Sequence, residues 1–204
     1  MIVKKFVKRP LENNNYLVID EASREAVLID CSEECDDIME YVNDCGAVFK
    51  SILLTHGHFD HVMGVNYFKT KYNVDAYIYA SEAAEAARCG DLAAAIGMRN
   101  IESPRIAGTF DEQSPLKIGK KAIKVIPTPG HTAGSICFLI ENHLFSGDTL
   151  FCGSYGRTDF PGGDYGAMMQ SLRKLLTTLA DDVSVHPGHG EDTTIAAEKR
   201  YYDF

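Results

Sequence analysis

No apolar run in this chain approaches the roughly 20 residues that a membrane-spanning helix needs. The longest stretches, such as Ile136-Cys137-Phe138-Leu139-Ile140, are strand-sized. The N-terminal Met1-Ile2-Val3-Lys4-Lys5-Phe6-Val7-Lys8 interleaves charges with a strand-like pattern and lacks the apolar block of a signal peptide. Basic side chains are in the minority. Twenty Lys and Arg against 29 Asp and Glu leave a net charge of −9, which opposes electrostatic binding to nucleic acid or an anionic membrane. None of the six cysteines (31, 35, 45, 89, 137 and 152) forms a Cys-x-x-Cys pair, and zinc-finger spacing is absent. Without an export signal they are expected to be reduced, mostly buried thiols of a cytoplasmic protein, Cys152 included. Low-complexity segments and linkers are missing too. Gly-x-Ser-x-Gly does not occur, and the glycine cluster at 153–163 has no P-loop lysine, so a serine nucleophile and a phosphate cradle both lack support.

What is present is an ordinary globular composition, 45% hydrophobic and 24% charged over 204 residues, long enough to bury roughly 70% of its unfolded surface. A single domain over residues 1–204 is expected. Residues 4–8, 15–20 and 25–30 read as three strands of a meander, followed by a helix with Ser32 as its N-cap and Gly46 as its stop. A strand is expected at 48–54, a helix at 62–72, a strand at 76–79, and an alanine-rich helical region capped by Ser81 and interrupted at Gly90. The second half repeats that grammar. A strand at 121–127, a hairpin of 135–141 with 143–146 and a short strand at 183–185 surround an Asp164-capped helix, and a helix at 193–200 closes the chain.

The histidines and acids of interest share one position, just after a predicted strand, where α/β folds tend to place their sites. In His56-Gly57-His58-Phe59-Asp60-His61, side chains two apart on an extended chain point the same way, so His56 and His58 can converge on one ion. Asp60 and His61 follow as the chain turns toward a helix and can face a second ion. His131 in Thr128-Pro129-Gly130-His131, Asp148 after Gly147, and His189 in His186-Pro187-Gly188-His189-Gly190 complete seven imidazole and carboxylate groups. Such donors suit zinc, iron or manganese rather than calcium or copper(I). His186 competes with His189 and is read as a packed group, His143 as a solvated hairpin residue. Asp30 either orients a ligand or caps a turn. Arg157 either binds an anionic part of a substrate or pairs with Asp159. Tyr155, Phe160 and Phe59 are candidate pocket walls.

Together these motifs resemble the metallo-β-lactamase superfamily across nearly the whole chain. Within it, Phe145-Ser146-Gly147-Asp148-Thr149-Leu150-Phe151 and Gly156-Arg157-Thr158-Asp159-Phe160-Pro161-Gly162-Gly163-Asp164 resemble small hydroxyacylglutathione hydrolases of the glyoxalase II group. The resemblance implies an α/β (α+β) αββα four-layer sandwich, two mixed β-sheets with helices on the outer faces. It implies two divalent metal ions, zinc foremost with iron or manganese as alternatives. His56, His58 and His131 would hold one ion, Asp60, His61 and His189 the other, with Asp148 bridging. Asp60 and Asp148 would be the catalytic carboxylates, and Arg157, Tyr155 and Phe160 the substrate contacts. A metal-bridging hydroxide would attack a thioester such as S-D-lactoylglutathione, with Asp60 orienting it.

Two departures are visible. The C-terminal substrate-binding domain of full-length glyoxalase II has no counterpart, and Asp159 stands where that group has a tyrosine. The implied partner is a small-molecule thioester, with no nucleic acid and no membrane, on a monomer or small homo-oligomer. The alternative is a mononuclear iron persulfide dioxygenase-like oxidoreductase of the same fold, and a third reading is a non-enzymatic module. β-Lactamases of this fold lack the Asp148 bridge, and homoserine lactonases place a tyrosine where this chain has Phe151.

Overall fold

In the computed structural model, residues 1–203 are described. An antiparallel meander opens the chain: β1 (Ile2–Lys8), β2 (Asn13–Ile19) and β3 (Glu25–Ile29). Helix α1 (Asp37–Asp44) leads to β4 (Val48–Leu54), then α2 (Phe59–Val62), α3 (Val65–Tyr72) and β5 (Asp75–Tyr79). A 3-10 turn (Ala80–Glu82), α4 (Ala83–Ala87) and α5 (Cys89–Ala95) connect to β6 (Ile106–Phe110). These six strands form one sheet in sequence order, antiparallel through β3 and parallel beyond it.

A small ladder, β7 (Lys117–Ile118) with β8 (Lys121–Ala122), precedes β9 (Lys124–Pro127), β10 (Ile136–Ile140) and β11 (His143–Gly147). A second ladder, β12 (Leu150–Phe151) with β13 (Ser154–Tyr155), comes before α6 (Tyr165–Thr178), β14 (Ser184–Pro187), β15 (Thr193–Thr194) and α7 (Ile195–Glu198). The second sheet runs β15-β14-β11-β10-β9, mixed because β11 and β14 pair in parallel.

Period-two alternation divides the apolar residues among three cores. On β2, Leu17 and Ile19 face α1 and α3 beside Ile38, Val42 and Phe68, whereas Tyr16 and Val18 face Phe138 and Phe145 of the second sheet. With both faces covered, all seven residues of β2 are buried. The outer side of the second sheet packs Cys137, Leu144 and Val185 against Met168, Leu172 and Leu175 of α6. Helix, sheet, sheet, helix is the order of layers, the αββα sandwich with two mixed sheets. Among the described residues, no helix is long and apolar enough to cross a membrane.

Several local expectations give way to tertiary contacts. Ser32 does not cap α1. That helix starts behind Asp36 with no side-chain cap, while Ser32 is drawn into a buried network, donating to Asn13 Oδ1 (2.9 Å) and contacting the Asn15 amide. The helix expected at 62–72 is split at Gly64, whose N–H turns to the Cys31 carbonyl (2.9 Å). Ser81 caps nothing, and the alanine-rich region breaks at Arg88 rather than Gly90. Strand β6 is an addition to the expected elements, since its Ile-Ala-Gly-Thr-Phe sequence lacks clear apolar–polar alternation. The strand expected at 121–127 is broken at Ile123, and the closing helix is a single turn, α7, followed by 3-10 turn. Cys152 is exposed rather than buried. His143 is half-buried, stacked on His186 at 5.2 Å. Asp164 does cap α6, accepting from Ala167 N (2.8 Å).

Candidate metal centre

All seven donors sit at one rim. β4 delivers His56 and His58, and His58 stays extended before α2 turns Asp60 and His61 inward. His131 lies in the turn after β9, Asp148 directly follows β11 and His189 follows β14. Because Gly147 and Pro187 are partners in the parallel β11–β14 pair, Asp148 and the His189 loop leave the sheet side by side.

Three overlapping groups result: His56/His58/His131, His56/His61/Asp148 and Asp60/His61/His189, each with its donor atoms within 4.8 Å of one another. Asp148 lies between them. Its Oδ1 is 3.4 Å from His61 Nε2, and its Oδ2 is 3.5 Å from His131 Nε2 and 3.6 Å from His189 Nε2. Asp60 Oδ2 is 3.3 Å from His189 Nε2.

The outer nitrogens explain why the inner ones converge. Nδ1–H of His131 donates to the Arg157 carbonyl (2.7 Å), that of His61 to Asp30 Oδ2 (2.8 Å), and that of His189 to the Leu11 carbonyl (3.1 Å). Carbonyl and carboxylate oxygens only accept, so each ring must carry its proton on Nδ1 and turn Nε2 into the cluster. Asp30 also accepts from Thr55 N and Oγ1, both at 2.8 Å, and it occupies a left-handed φ of 61° to do so. Of the two roles open to Asp30, orienting a ligand is the one these contacts describe.

The donor set fits a cation. His56 Nε2, His58 Nε2 and Asp148 Oδ1 are buried without any hydrogen-bond partner, and an unsatisfied buried polar atom is costly. Burial, reinforced by the neighbouring imidazoles, holds His56 well below the ordinary histidine value. The same causes push His58 down to about 3. Both are therefore neutral, the form that offers a lone pair to a metal. His61 differs. Burial alone would lower its pKa, yet Asp148, Asp30 and Asp60 outweigh that and raise it well above the ordinary value.

A cavity of about 550 Å³ opens on the donors, with Leu11, Leu92, Ile96, Phe151, Tyr155 and Phe160 among its walls. Tyr155, Phe160 and Phe59 do line it. The Arg157 side chain pairs with Asp159 through Nε and Nη2, both at 2.7 Å, and its guanidinium stacks on Phe160 at 3.9 Å. Of the two roles open to Arg157, the structure shows the ion pair, and its carbonyl, not its charge, touches the cluster through His131.

Sequence reasoning missed four groups. Asn13 Nδ2 lies 2.8 Å from His61 Nε2, Glu82 bonds two of the donor loops, and Leu92 and Ile96 of the α5 region wall the cavity. Only Ile96 carried a signal, as an apolar residue just before a helix-stopping glycine.

An αββα sandwich with seven His and Asp donors converging at one edge of its two sheets defines a class of metalloproteins. The sequence matches the Metallo-beta-lactamase superfamily over residues 9–189, and the chain belongs to that family. It is 33% identical over 204 residues to hydroxyacylglutathione hydrolase GloC of Haemophilus influenzae, covering 95% of this chain and 92% of that one. Among solved structures, the BLEG-1 B3 metallo-beta-lactamase superposes with a TM-score of 0.89 at 29% identity, over 98% of this chain and 97% of that one. TTHA1623 in a di-iron-bound form gives 0.85 at 32%, over 98% of each chain. ETHE1 from Myxococcus xanthus gives 0.79 at 28%, over 98% of this chain and 83% of that one.

Proposed function

We propose that this metallo-hydrolase cleaves a thioester, S-D-lactoylglutathione or a related acyl-thiol, at a two-ion centre. The observation that carries the reading is the chain of three overlapping donor groups, the middle one holding Asp148, together with three buried donor atoms that have no hydrogen-bond partner. Likeness to GloC over nearly the full length of both chains supports the thioester. Zinc is favoured by the imidazole-rich set, and likeness to a di-iron protein keeps iron in view.

His56, His58 and His131 would hold one ion, Asp60, His61 and His189 the other, and Asp148 would touch both. When bound, such ions polarise a carbonyl and acidify water near neutral pH. The chain's own part is positioning. Asp60 Oδ2, ringed by His61 and His189, accepts a hydrogen bond from the attacking water and orients it. Phe160 and Tyr155 hold the substrate body, and Leu92 and Ile96 exclude water from its apolar portion. Water adds its oxygen to the carbonyl carbon and the C–S bond breaks. A thiolate is a weak base, so departure needs no strong general acid. Among the described residues that line the cavity, none is a lysine, and the arginine is already paired.

The three-histidine group alone would serve one rival, a single-iron dioxygenase of the same fold acting on a persulfide. Elemental analysis of protein purified without added metal separates the two. About two equivalents of zinc or iron, with release of free thiol from S-D-lactoylglutathione, is the expected outcome. One iron per chain with oxygen consumed on glutathione persulfide, or hydrolysis of a β-lactam but no thioester, would overturn it.

A further inference from the structure

We infer that Glu82 is a positioning residue that sets the distance between the two loops supplying His56, His58 and His131, and so controls occupancy of that cation subsite in preference to the other. The inference rests on the metal-centre reading above.

Glu82 ends the 3-10 turn after β5 and is 2% exposed. Its Oε2 accepts from Gly57 N (2.8 Å), between His56 and His58. Its Oε1 accepts from Thr132 Oγ1 (2.8 Å) and Gly134 N (2.9 Å), directly after His131. The first loop leaves β4 in one sheet, and the second joins β9 to β10 in the other. One carboxylate therefore spans the seam between the sheets at the point where His58 Nδ1 and His131 Nε2 come within 2.9 Å.

The bare backbone of both loops is used to reach it. A Cβ on Gly57 would lie 2.4 Å from Ala86 N, and one on Gly134 would lie 2.2 Å from Ser81 Oγ and 2.7 Å from Glu82 Oε1. The 80–87 segment is thus pressed against both loops, by its backbone at Gly57 and by the Ser81 and Glu82 side chains at Gly134. Asp60, His61 and His189 are braced elsewhere: His61 by Asp30 and Asn13, His189 by the Leu11 carbonyl. Glu82 makes no hydrogen bond to those three or to their braces. That separation is what makes its effect selective.

A carboxylate is required because donors converge on both oxygens. In Glu82→Gln the amide oxygen can serve Thr132 and Gly134, but the NH₂ then opposes the Gly57 N–H. In Glu82→Ala all three donors lose their acceptor.

The test is competition between the full-length metal-free protein and a chromophoric chelator for zinc, resolved into two affinities. Cobalt(II) absorption assigns the three-histidine and carboxylate-containing subsites. The expected result for Glu82→Ala is a loss of about 10- to 100-fold at the three-histidine subsite, the range for groups that orient ligands, with the other subsite changed less than about twofold. Glu82→Gln should fall between wild type and Glu82→Ala, and it carries the test if the alanine variant does not fold. Equal loss at both subsites, or no loss at either, overturns the positioning role, because a merely structural defect would not move the ratio of affinities. If wild-type protein takes up no zinc or cobalt, the metal-centre reading falls and the inference with it.

Discussion

The two donor groups solve the same problem in opposite ways. His56, His58 and His131 are all imidazoles, almost wholly buried, and two of them keep a nitrogen with no partner. Asp60, His61 and His189 include a carboxylate and saturate one another: His61 is hydrogen-bonded at both ring nitrogens and His189 faces Asp60. The first group is all imidazole and incomplete, whereas the second sets a carboxylate against two imidazoles. A cation entering the first meets two nitrogens with no partner and has only the His58–His131 contact (2.9 Å) to open. One entering the second must displace the Asn13 amide from His61 Nε2 and part His189 from Asp60. Filling should therefore be ordered, the three-histidine group first.

The widest separation is expected from ligand deletion. His58→Ala should abolish the tighter of two zinc affinities, a loss of more than about 100-fold, beyond the range for groups that only orient ligands. His189→Ala should spare that affinity and remove the weaker one. Zinc titration of both variants by calorimetry checks this, and loss of the tighter affinity in His189→Ala would reverse the order.

Asp30→Asn should act on the other side of the comparison. It weakens an acceptor shared by His61 Nδ1 and two donors of Thr55. A loss of about 10- to 100-fold in the weaker affinity is expected, with about 1–3 kcal/mol of stability lost through the unsatisfied donors. Urea unfolding of the metal-free variant measures the second figure independently of the first.

The smallest effect belongs to the loop that carries His189. Asp192 accepts from His186 Nδ1 (2.8 Å), Tyr16 OH (2.9 Å) and Lys5 Nζ (2.9 Å). Burial would raise its pKa, but these bonds outweigh it and lower it to about 2, from an ordinary 3.8. A folded value below the unfolded one means stability that is present in full above pH 3.8 and is lost as the pH falls through about 2. The urea midpoints of wild type and Asp192→Asn should accordingly differ at neutral pH and converge across that window. A gap that persists below it would assign the role of Asp192 to shape rather than charge.

How far the sequence was readable follows from the range of the interactions involved. The His-x-His-x-Asp-His run announces itself because strand and turn geometry over six residues already brings its donors together, and His131, Asp148 and His189 each come just after a short strand-sized run. Ser32 had the local features of a helix cap and lost them to Asn13 and Asn15, which arrive from β2. Asn13, Glu82 and Leu92 carry no local mark at all. They come from elements whose meeting with the site depends on how two sheets and the outer helices pack, and nothing in their neighbours along the chain encodes that.

The carbonyl of Arg157 holds His131 while the side chains around it, Tyr155 and Phe160, wall the cavity. A single short stretch thus holds a donor with its backbone and lines the cavity with its side chains. Whatever stiffens that stretch from the cavity side also stiffens the anchor of His131. Thermodynamic reciprocity then fixes the sequel: a substrate-like molecule that tightens cation binding by some factor is itself bound tighter by the same factor once the cation is in place. Titrating either one at several fixed concentrations of the other reads that factor directly, and the two occupancies behave as one equilibrium.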